Sequence, residues 1–264
     1  MANKTMTVVI QGGVKDNGDV RFDEFIEELN ATLDSLRRAE FTLAGKQTSY
    51  FRVTNLSHKS PATITLEQIP ISNKIPVSLE TIPFLIKNVR RIKEEGEADP
   101  SLDFSTLRAF RNLAMPLGKN VTSITVMNGA EQVEITEALK ENIDELTADE
   151  CENGSMSGVL EEINIHNRVN KFEIYPPVGP SKITCHFPDV LLEEARGALK
   201  HYVTVHGTVK TRRREEYPHE IDVVEIDKHG LVEGKSAMWA IRGIASDITG
   251  NTPPEEFVRK LRNV

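Results

Sequence analysis

Hydrophobic and polar residues alternate along five short runs in the second half of the chain. Alternation with a period of two predicts β-strands that bury one face. The runs are Gly158–Ile165, Lys171–Tyr175, Lys182–Phe187, Tyr202–Lys210 and Glu220–Ile226. Between the third and fourth runs, Asp189–Lys200 instead collects its apolar residues on one helical face. The pattern therefore predicts three strands, one helix and two further strands, in that order.

The first half of the chain mixes both periodicities and predicts an N-terminal α+β domain. Strands are expected over Met6–Ile10, Ser49–Leu56, Ala62–Ile69, Val121–Met127 and Gln132–Ile135, the last four as two hairpins. Helices are expected over Phe22–Glu40, Leu79–Glu95, Phe104–Ala114 and Thr136–Glu145, with Thr136 as an N-cap. The first helix places near one stripe the residues Phe22, Phe25, Ile26, Leu29, Leu33 and Leu36.

A polar stretch without periodicity, Thr147–Ser157, is typical of a linker and marks the expected domain boundary. We expect an N-terminal domain over residues 1–150, a second domain over residues 155–230 and a tail over residues 231–264. In the tail, an amphipathic segment, Ser236–Ile244, is followed by a glycine break and then by a helix that starts with Thr252-Pro253-Pro254-Glu255. The tail is too short to hold a core of its own, so we expect a helical appendix.

The order of three strands, one helix and two strands resembles the oligonucleotide/oligosaccharide-binding barrel, the OB-fold. The resemblance is one of architecture and covers residues 158–226. It implies an α+β fold in which the N-terminal mixed α/β domain is followed by a five-stranded OB-like β-barrel and the helical appendix. Strand alternation assigns to the barrel interior the side chains of Phe172, Ile174, Ile183, Cys185 and Phe187.

The OB resemblance also implies a ligand face on the second and third strands, flanked by the first and last loops. Outward-pointing Tyr175 and His186 would stack on bases, and Lys171 and Lys182 would contact phosphates. Single-stranded nucleic acid or a nucleotide is therefore one expected ligand, although a net charge of −8 argues mildly against strong DNA binding. The candidate contacts are Arg168, Lys171, Tyr175, Lys182, His186, Lys210, Arg212, Arg213 and Arg214.

The tail carries the single tryptophan of the chain, Trp239. A tryptophan in a short terminal segment either packs back on its own chain or anchors in the groove of a partner. The succession of an apolar segment, a glycine break and the capped helix Glu255–Arg262 resembles the C-terminal neutralising tails of bacterial antitoxins. This resemblance implies a protein partner, in the sharpest version a toxin, held by Met238, Trp239, Ile241, Arg242, Phe257, Arg259 and Arg262.

Metal chemistry has little support in the sequence. Cys151 and Cys185 are the only cysteines, which provides neither a disulfide framework nor a cysteine-rich zinc site. The residues His166, His186 and His206 lie in the second domain, but no carboxylate–histidine motif accompanies them. We therefore expect no metal and no cofactor.

The segment from Asp16 to Glu27 matches the two ends of an EF-hand calcium loop. Its middle does not match, because Gly18 and Val20 lack side-chain oxygens and Arg21 replaces the required glycine. No phosphate loop and no nucleophile elbow occurs in the sequence. The N-terminal residues lead into a strand rather than a signal peptide, and no apolar run reaches the ~20 residues of a membrane span.

The sequence therefore predicts a non-catalytic binding or regulatory protein of the cytoplasm that engages a protein partner through its tail. Single-stranded nucleic-acid or nucleotide binding on the OB-like face is the first alternative, and an enzyme hosted by the N-terminal domain is the second.

Overall fold

The chain is a mixed α+β protein. A computed structural model describes residues 4–72, 80–166 and 169–229, and in this part of the chain it contains five α-helices and two five-stranded β-sheets. The chain divides into two compact units. Of the described residues, the first unit comprises residues 4–72, 80–153 and 208–221, and the second comprises residues 154–166, 169–207 and 222–229.

The first unit is built on an antiparallel sheet whose strands lie in the order β2-β3-β1-β4-β5. The strands are β1 (Thr5–Gly12), β2 (Ser49–Ser57), β3 (Ala62–Pro70), β4 (Val121–Asn128) and β5 (Glu131–Ile135). Alternate residues of β1 and β3 are buried, as a sheet with one covered face requires. All five strands predicted for this half of the chain are present, with ends shifted by one or two residues.

Four helices belong to this unit: α1 (Phe22–Ala44), α2 (Thr81–Glu95), α3 (Phe104–Asn112) and α4 (Glu137–Leu146). The side chain of Asp103 caps α3 by accepting a hydrogen bond from the backbone N–H of Thr106 at 2.7 Å. Thr136 is the N-cap residue of α4, as predicted, but its side chain makes no capping hydrogen bond. Apolar residues of β1, β3, β4 and β5 pack with those of the four helices in one hydrophobic core. No described helix has the length and apolar character needed to cross a membrane.

Helix α1 buries a different face from the stripe that its large apolar residues define. Phe22 is 78% exposed, and of that stripe only Leu36 is fully buried. Small residues allow α1 to approach α3 closely, and the hydroxyl of Ser35 donates to the carbonyl of Ala109 at 3.0 Å. The buried side of α1 consists of Glu24, Glu28, Ala31, Thr32, Ser35, Leu36, Ala39 and Glu40. The bulky apolar residues therefore flank the helix contact instead of forming it.

The five strands of the second sheet close into a ring in the order β10-β8-β7-β6-β9. They are β6 (Asp149–Asn164), β7 (Lys171–Tyr175), β8 (Ile183–His186), β9 (Tyr202–Arg212) and β10 (Glu220–Lys228). A short 3-10 helix (Asp189–Leu191) and α5 (Leu192–Gly197) lie between β8 and β9, where a single helix was predicted. The side chains predicted to face the interior are all buried, which confirms that assignment: Phe172, Ile174, Ile183, Cys185 and Phe187.

The expected linker over Thr147–Ser157 is instead largely a strand, because β6 begins at Asp149. The first seven residues of β6 are all exposed, so neither face of this part of the strand requires apolar residues. Backbone pairing stabilises the segment: the N–H of Arg213 donates to the carbonyl of Ala148 at 3.1 Å. A strand exposed on both faces has no hydrophobic period, and for that reason its sequence is typical of a linker.

Candidate functional site

The predicted partner contacts of the tail lie outside the described residues, and so does Arg168. The tail residues concerned are Met238, Trp239, Ile241, Arg242, Phe257, Arg259 and Arg262. Partner binding through the tail therefore stays a prediction from the sequence.

The outward-facing residues of β7 and β8 form a connected polar group within the second unit. The carboxylate of Glu173 accepts hydrogen bonds from Nζ of Lys182 at 2.7 Å and from the hydroxyl of Tyr175 at 3.0 Å. The hydrogen bond from Lys182 lowers the pKa of Glu173, and the same bond raises the pKa of Lys182. Lys171 and His186 lie opposite each other at the end of the β7–β8 pair. Lys182 and Tyr175 are thus brought together as predicted, but both already bind a carboxylate.

The basic residues at the end of β9 are also engaged within the protein. Nζ of Lys210 lies 2.6 Å from the carboxylate of Glu220. The guanidinium group of Arg212 lies 3.2 Å from the carboxylate of Glu215 and 4.7 Å above the ring centre of Phe104. Both of these expected phosphate contacts therefore already have an acidic partner.

The two following arginines attach the loop between β9 and β10 to other segments of the first unit. Arg213 binds the carboxylate of Glu150 through Nε at 3.0 Å. Arg214 donates to the backbone carbonyls of Asp99 at 2.9 Å, Leu102 at 3.1 Å and Ala98 at 3.2 Å. The run of arginines thus has a structural role that its sequence did not reveal.

An apolar cleft of about 440 Å³ lies beside the beginning of α1, in the first unit. Phe22 and Leu56 are the most prominent residues of this cleft, being 78% and 58% exposed. The full lining is Asp19, Val20, Phe22, Phe25, Leu56, Ser57, His58 and Ala62. We call this the Phe22–Leu56 cleft.

The register of the β2–β3 pair explains why the Phe22–Leu56 cleft is apolar. Val53 lies opposite Leu66 and Leu56 opposite Ile64, and the two β3 residues are buried on the helix side of the sheet. Directly opposed residues of an antiparallel pair share a face. Val53 and Leu56 therefore extend the core-facing side of the sheet onto its edge strand, where both are more than half exposed.

A tightly bonded loop directly precedes two residues of the Phe22–Leu56 cleft, Asp19 and Val20. The carbonyl of Gly18 accepts hydrogen bonds from the backbone N–H of Gly12 at 3.1 Å, from Nε2 of Gln11 at 3.2 Å and from the hydroxyl of Ser60. Gly18 has a φ of +88°, and a Cβ atom at Gly12 would lie 1.9 Å from the carbonyl oxygen of Asp19. Both positions therefore require glycine.

The candidate calcium loop is held by protein contacts. Asp16 accepts hydrogen bonds from Nε of Arg21 at 2.8 Å and from Nδ2 of Asn120 at 2.6 Å. Glu27 binds Nζ of Lys119 at 2.8 Å. The two acidic residues at the ends of the segment, Asp16 and Glu27, therefore bind side chains of the protein itself.

The histidines of the second unit do not converge. His206 binds the carboxylate of Asp227 at 3.0 Å. Over the ranges that the structure describes, no three or more histidine, cysteine or acidic side chains are grouped as a metal would require.

No protein-family model matches this chain, and no curated protein is detectably similar to it. Its function is therefore argued from its own residues.

Proposed function

We propose that this chain is a non-catalytic binding protein whose main ligand is another protein. The observation that supports this most directly is the Phe22–Leu56 cleft, together with Val53 beside it on the edge strand. Concave apolar sites of this size are the usual places at which proteins receive apolar groups of a ligand or partner. The cleft fits one or two apolar side chains of a partner.

The tail is the second element of the proposal, and its support is the sequence alone. Trp239 and Phe257 would be its apolar anchors, and Arg242 with Arg259 or Arg262 would supply charge to the partner. The resemblance to antitoxin tails makes a toxin the most specific candidate. The proposed location of the complex is the cytoplasm.

For the second domain we propose an OB-like barrel over residues 155–230. The ring order can be written β6-β7-β8-β10-β9. In sequence, α5 lies between β8 and β9, the third and fourth strands of this sheet in chain order. Both features agree with a Greek-key barrel of the OB type. The other proposed segments are the N-terminal domain of residues 1–150 and the helical appendix of residues 231–264.

The OB-like order also supports the alternative, binding of single-stranded nucleic acid on the face of β7 and β8. The ion pairs of Lys182, Lys210 and Arg213 oppose it, since each of these cations would have to exchange a carboxylate for a phosphate. Fluorescence anisotropy with a labelled single-stranded oligonucleotide tests this alternative. Affinity that falls steeply with salt and weakens in Lys182→Ala supports it, and no saturable binding at low salt contradicts it.

Two full-length variants test the main proposal in pull-downs from nuclease-treated host lysate. One is the double variant Phe22→Ser/Leu56→Ser, and the other is Trp239→Ala. The matched control is Val190→Ser/Val224→Ser, which also replaces two highly exposed apolar residues. We expect a stoichiometric protein that the control retains and each test variant loses, measured by quantitative mass spectrometry. Equal recovery by all variants would contradict both proposed contacts.

A further inference from the structure

A second cleft, of about 420 Å³, lies within the first unit between α3, the end of α4 and the end of β9. Three arginines contribute to its walls, although the chain as a whole carries a net charge of −8. The lining residues are Phe104, Arg108, Arg111, Asp144, Thr147, Ala148, Asp149 and Arg212. We call this the arginine cleft.

Helix geometry explains how α3 supplies one wall. Phe104, Arg108 and Arg111 are four and three residues apart, so they follow one another on the same face of the helix. Arg212 reaches the same place from β9, and its guanidinium group stacks on the Phe104 ring at 4.7 Å. This stacking orients Arg212 while leaving most of its donors unused.

The three guanidinium groups differ in how many N–H donors they have left. Arg111 is fully engaged, because it holds both carboxylate oxygens of Asp144 and also contacts the sulfur of Met115 at 3.2 Å. Arg212 donates through Nη1 to Glu215 at 3.2 Å, which leaves Nε and Nη2. Arg108 is exposed and makes no hydrogen bond or ion pair with any residue that the structure describes.

The acidic residues of the cleft have contacts of their own. Asp144 is paired with Arg111, and Asp149 lies 3.6 Å from Nε2 of His219. Arg108 is consequently the one arginine of this cleft without an acidic partner among the described side chains, since Arg111 pairs with Asp144 and Arg212 with Glu215. An arginine fork with free donors matches the oxygens of a phosphate group.

We propose that the arginine cleft binds a small phosphate-bearing ligand, with the phosphate between Arg108 and Arg212. A volume of about 420 Å³ lies in the usual range of ligand pockets and leaves room for more than the phosphate itself. This site is independent of the Phe22–Leu56 cleft and of the tail, so either function stands without the other.

Isothermal titration calorimetry of the full chain with pyrophosphate at low salt tests the proposal. We expect saturable binding that Arg108→Ala weakens about tenfold or more, as the loss of charge-assisted hydrogen bonds does. The affinity of Arg108→Lys for pyrophosphate should lie between those of the wild type and Arg108→Ala, because lysine keeps the positive charge but lacks the two parallel donors of the guanidinium group. The control is Arg196→Ala, which removes an exposed arginine on α5 in the second unit.

Absence of saturable binding by the wild-type chain would overturn the proposal. Equal weakening by Arg108→Ala and Arg196→Ala would also overturn it, since the binding would then depend only on overall charge. Circular dichroism of both variants should match that of the wild type, because Arg108 contacts no described residue through hydrogen bonds.

Discussion

The carboxylate of Glu28 accepts a hydrogen bond from the hydroxyl of Thr32, one turn further along α1, at 3.2 Å. Its second oxygen is buried and has no hydrogen-bond partner among the described residues. Burial raises the pKa of Glu28 well above its usual value, and the nearby charge of Glu27 adds to the effect. A helix that buries such a group is less stable when the group is charged.

Replacing Glu28 with glutamine should stabilise the protein at neutral pH. The folded pKa is raised, so Glu28 destabilises the fold progressively as pH rises from the unfolded pKa, about 4.3, towards the folded pKa. Glutamine still accepts the bond from Thr32 and never ionises. Thermal unfolding should therefore show a higher Tm for Glu28→Gln at pH 7.5 and little difference at pH 4.

The neighbouring Glu27→Gln is the control for this prediction. Glu27 is paired with Lys119 at 2.8 Å, so its replacement should lower the Tm slightly at pH 7.5. A Tm for Glu28→Gln below that of the wild type at pH 7.5 would contradict the prediction.

A second buried carboxylate, Glu40, depends on two hydroxyl donors. One of its oxygens accepts from the hydroxyls of Thr48 at 2.6 Å and Ser49 at 2.7 Å, and Ser49 in turn accepts from Nε2 of Gln68 at 2.9 Å. Ser49→Ala removes a donor to a buried carboxyl group and should lower the free energy of unfolding by about 1–3 kcal/mol. Urea denaturation measures this change.

An exposed hydroxyl on the same hairpin provides the comparison for Ser49→Ala. Thr54 donates to the carbonyl of Thr65 at 3.2 Å on the surface, so Thr54→Ala should change the unfolding free energy by less than about 0.5 kcal/mol. Equal effects of the two substitutions would show that the Glu40 network does not stabilise the core.

The alternation of Lys171–Tyr175 was sufficient to predict its strand and its buried residues, because a half-buried strand needs period two. The buried face of α1 could not be predicted in the same way. Its buried residues include Ala31, Ser35 and Ala39, which are small, and Ser35 bonds to Ala109 of α3. The large apolar residues indicated only part of the buried face, since Leu36 is buried and Phe25 and Leu29 pack against the core.

The arginine cleft could not be predicted from the sequence, because its residues come from three separate segments of the chain, the end of β9 being far from α3 in sequence. Arg108 and Arg212 approach the same space only when β9 runs past the beginning of α3. The Phe22–Leu56 cleft was missed for a related reason, since it joins the beginning of α1 to the β2–β3 hairpin. Local periodicity predicts elements and their faces, while clefts depend on how the elements meet.

Arg214→Ala should destabilise the loop between β9 and β10 more than Arg213→Ala does. Arg214 donates to three backbone carbonyls and has a φ of +70°, whereas Arg213 forms an ion pair in which both side chains are about half exposed or more. We expect a loss of about 1–3 kcal/mol for Arg214→Ala and below about 1 kcal/mol for Arg213→Ala. Urea denaturation compares the two variants, which remove the same charge from adjacent positions. A greater loss for Arg213→Ala would contradict the structural role of Arg214.

The two cysteines should differ sharply in reactivity. Cys151 is exposed on β6, whereas Cys185 is buried inside the ring of strands, where burial raises the pKa of its thiol. The thiolate is the reactive form of cysteine. A thiol reagent such as Ellman's reagent should therefore modify Cys151 quickly in the folded protein and Cys185 only after unfolding. Cys151→Ser should abolish the fast reaction. Two fast thiols in the wild-type chain would mean that the interior of the ring is open to solvent.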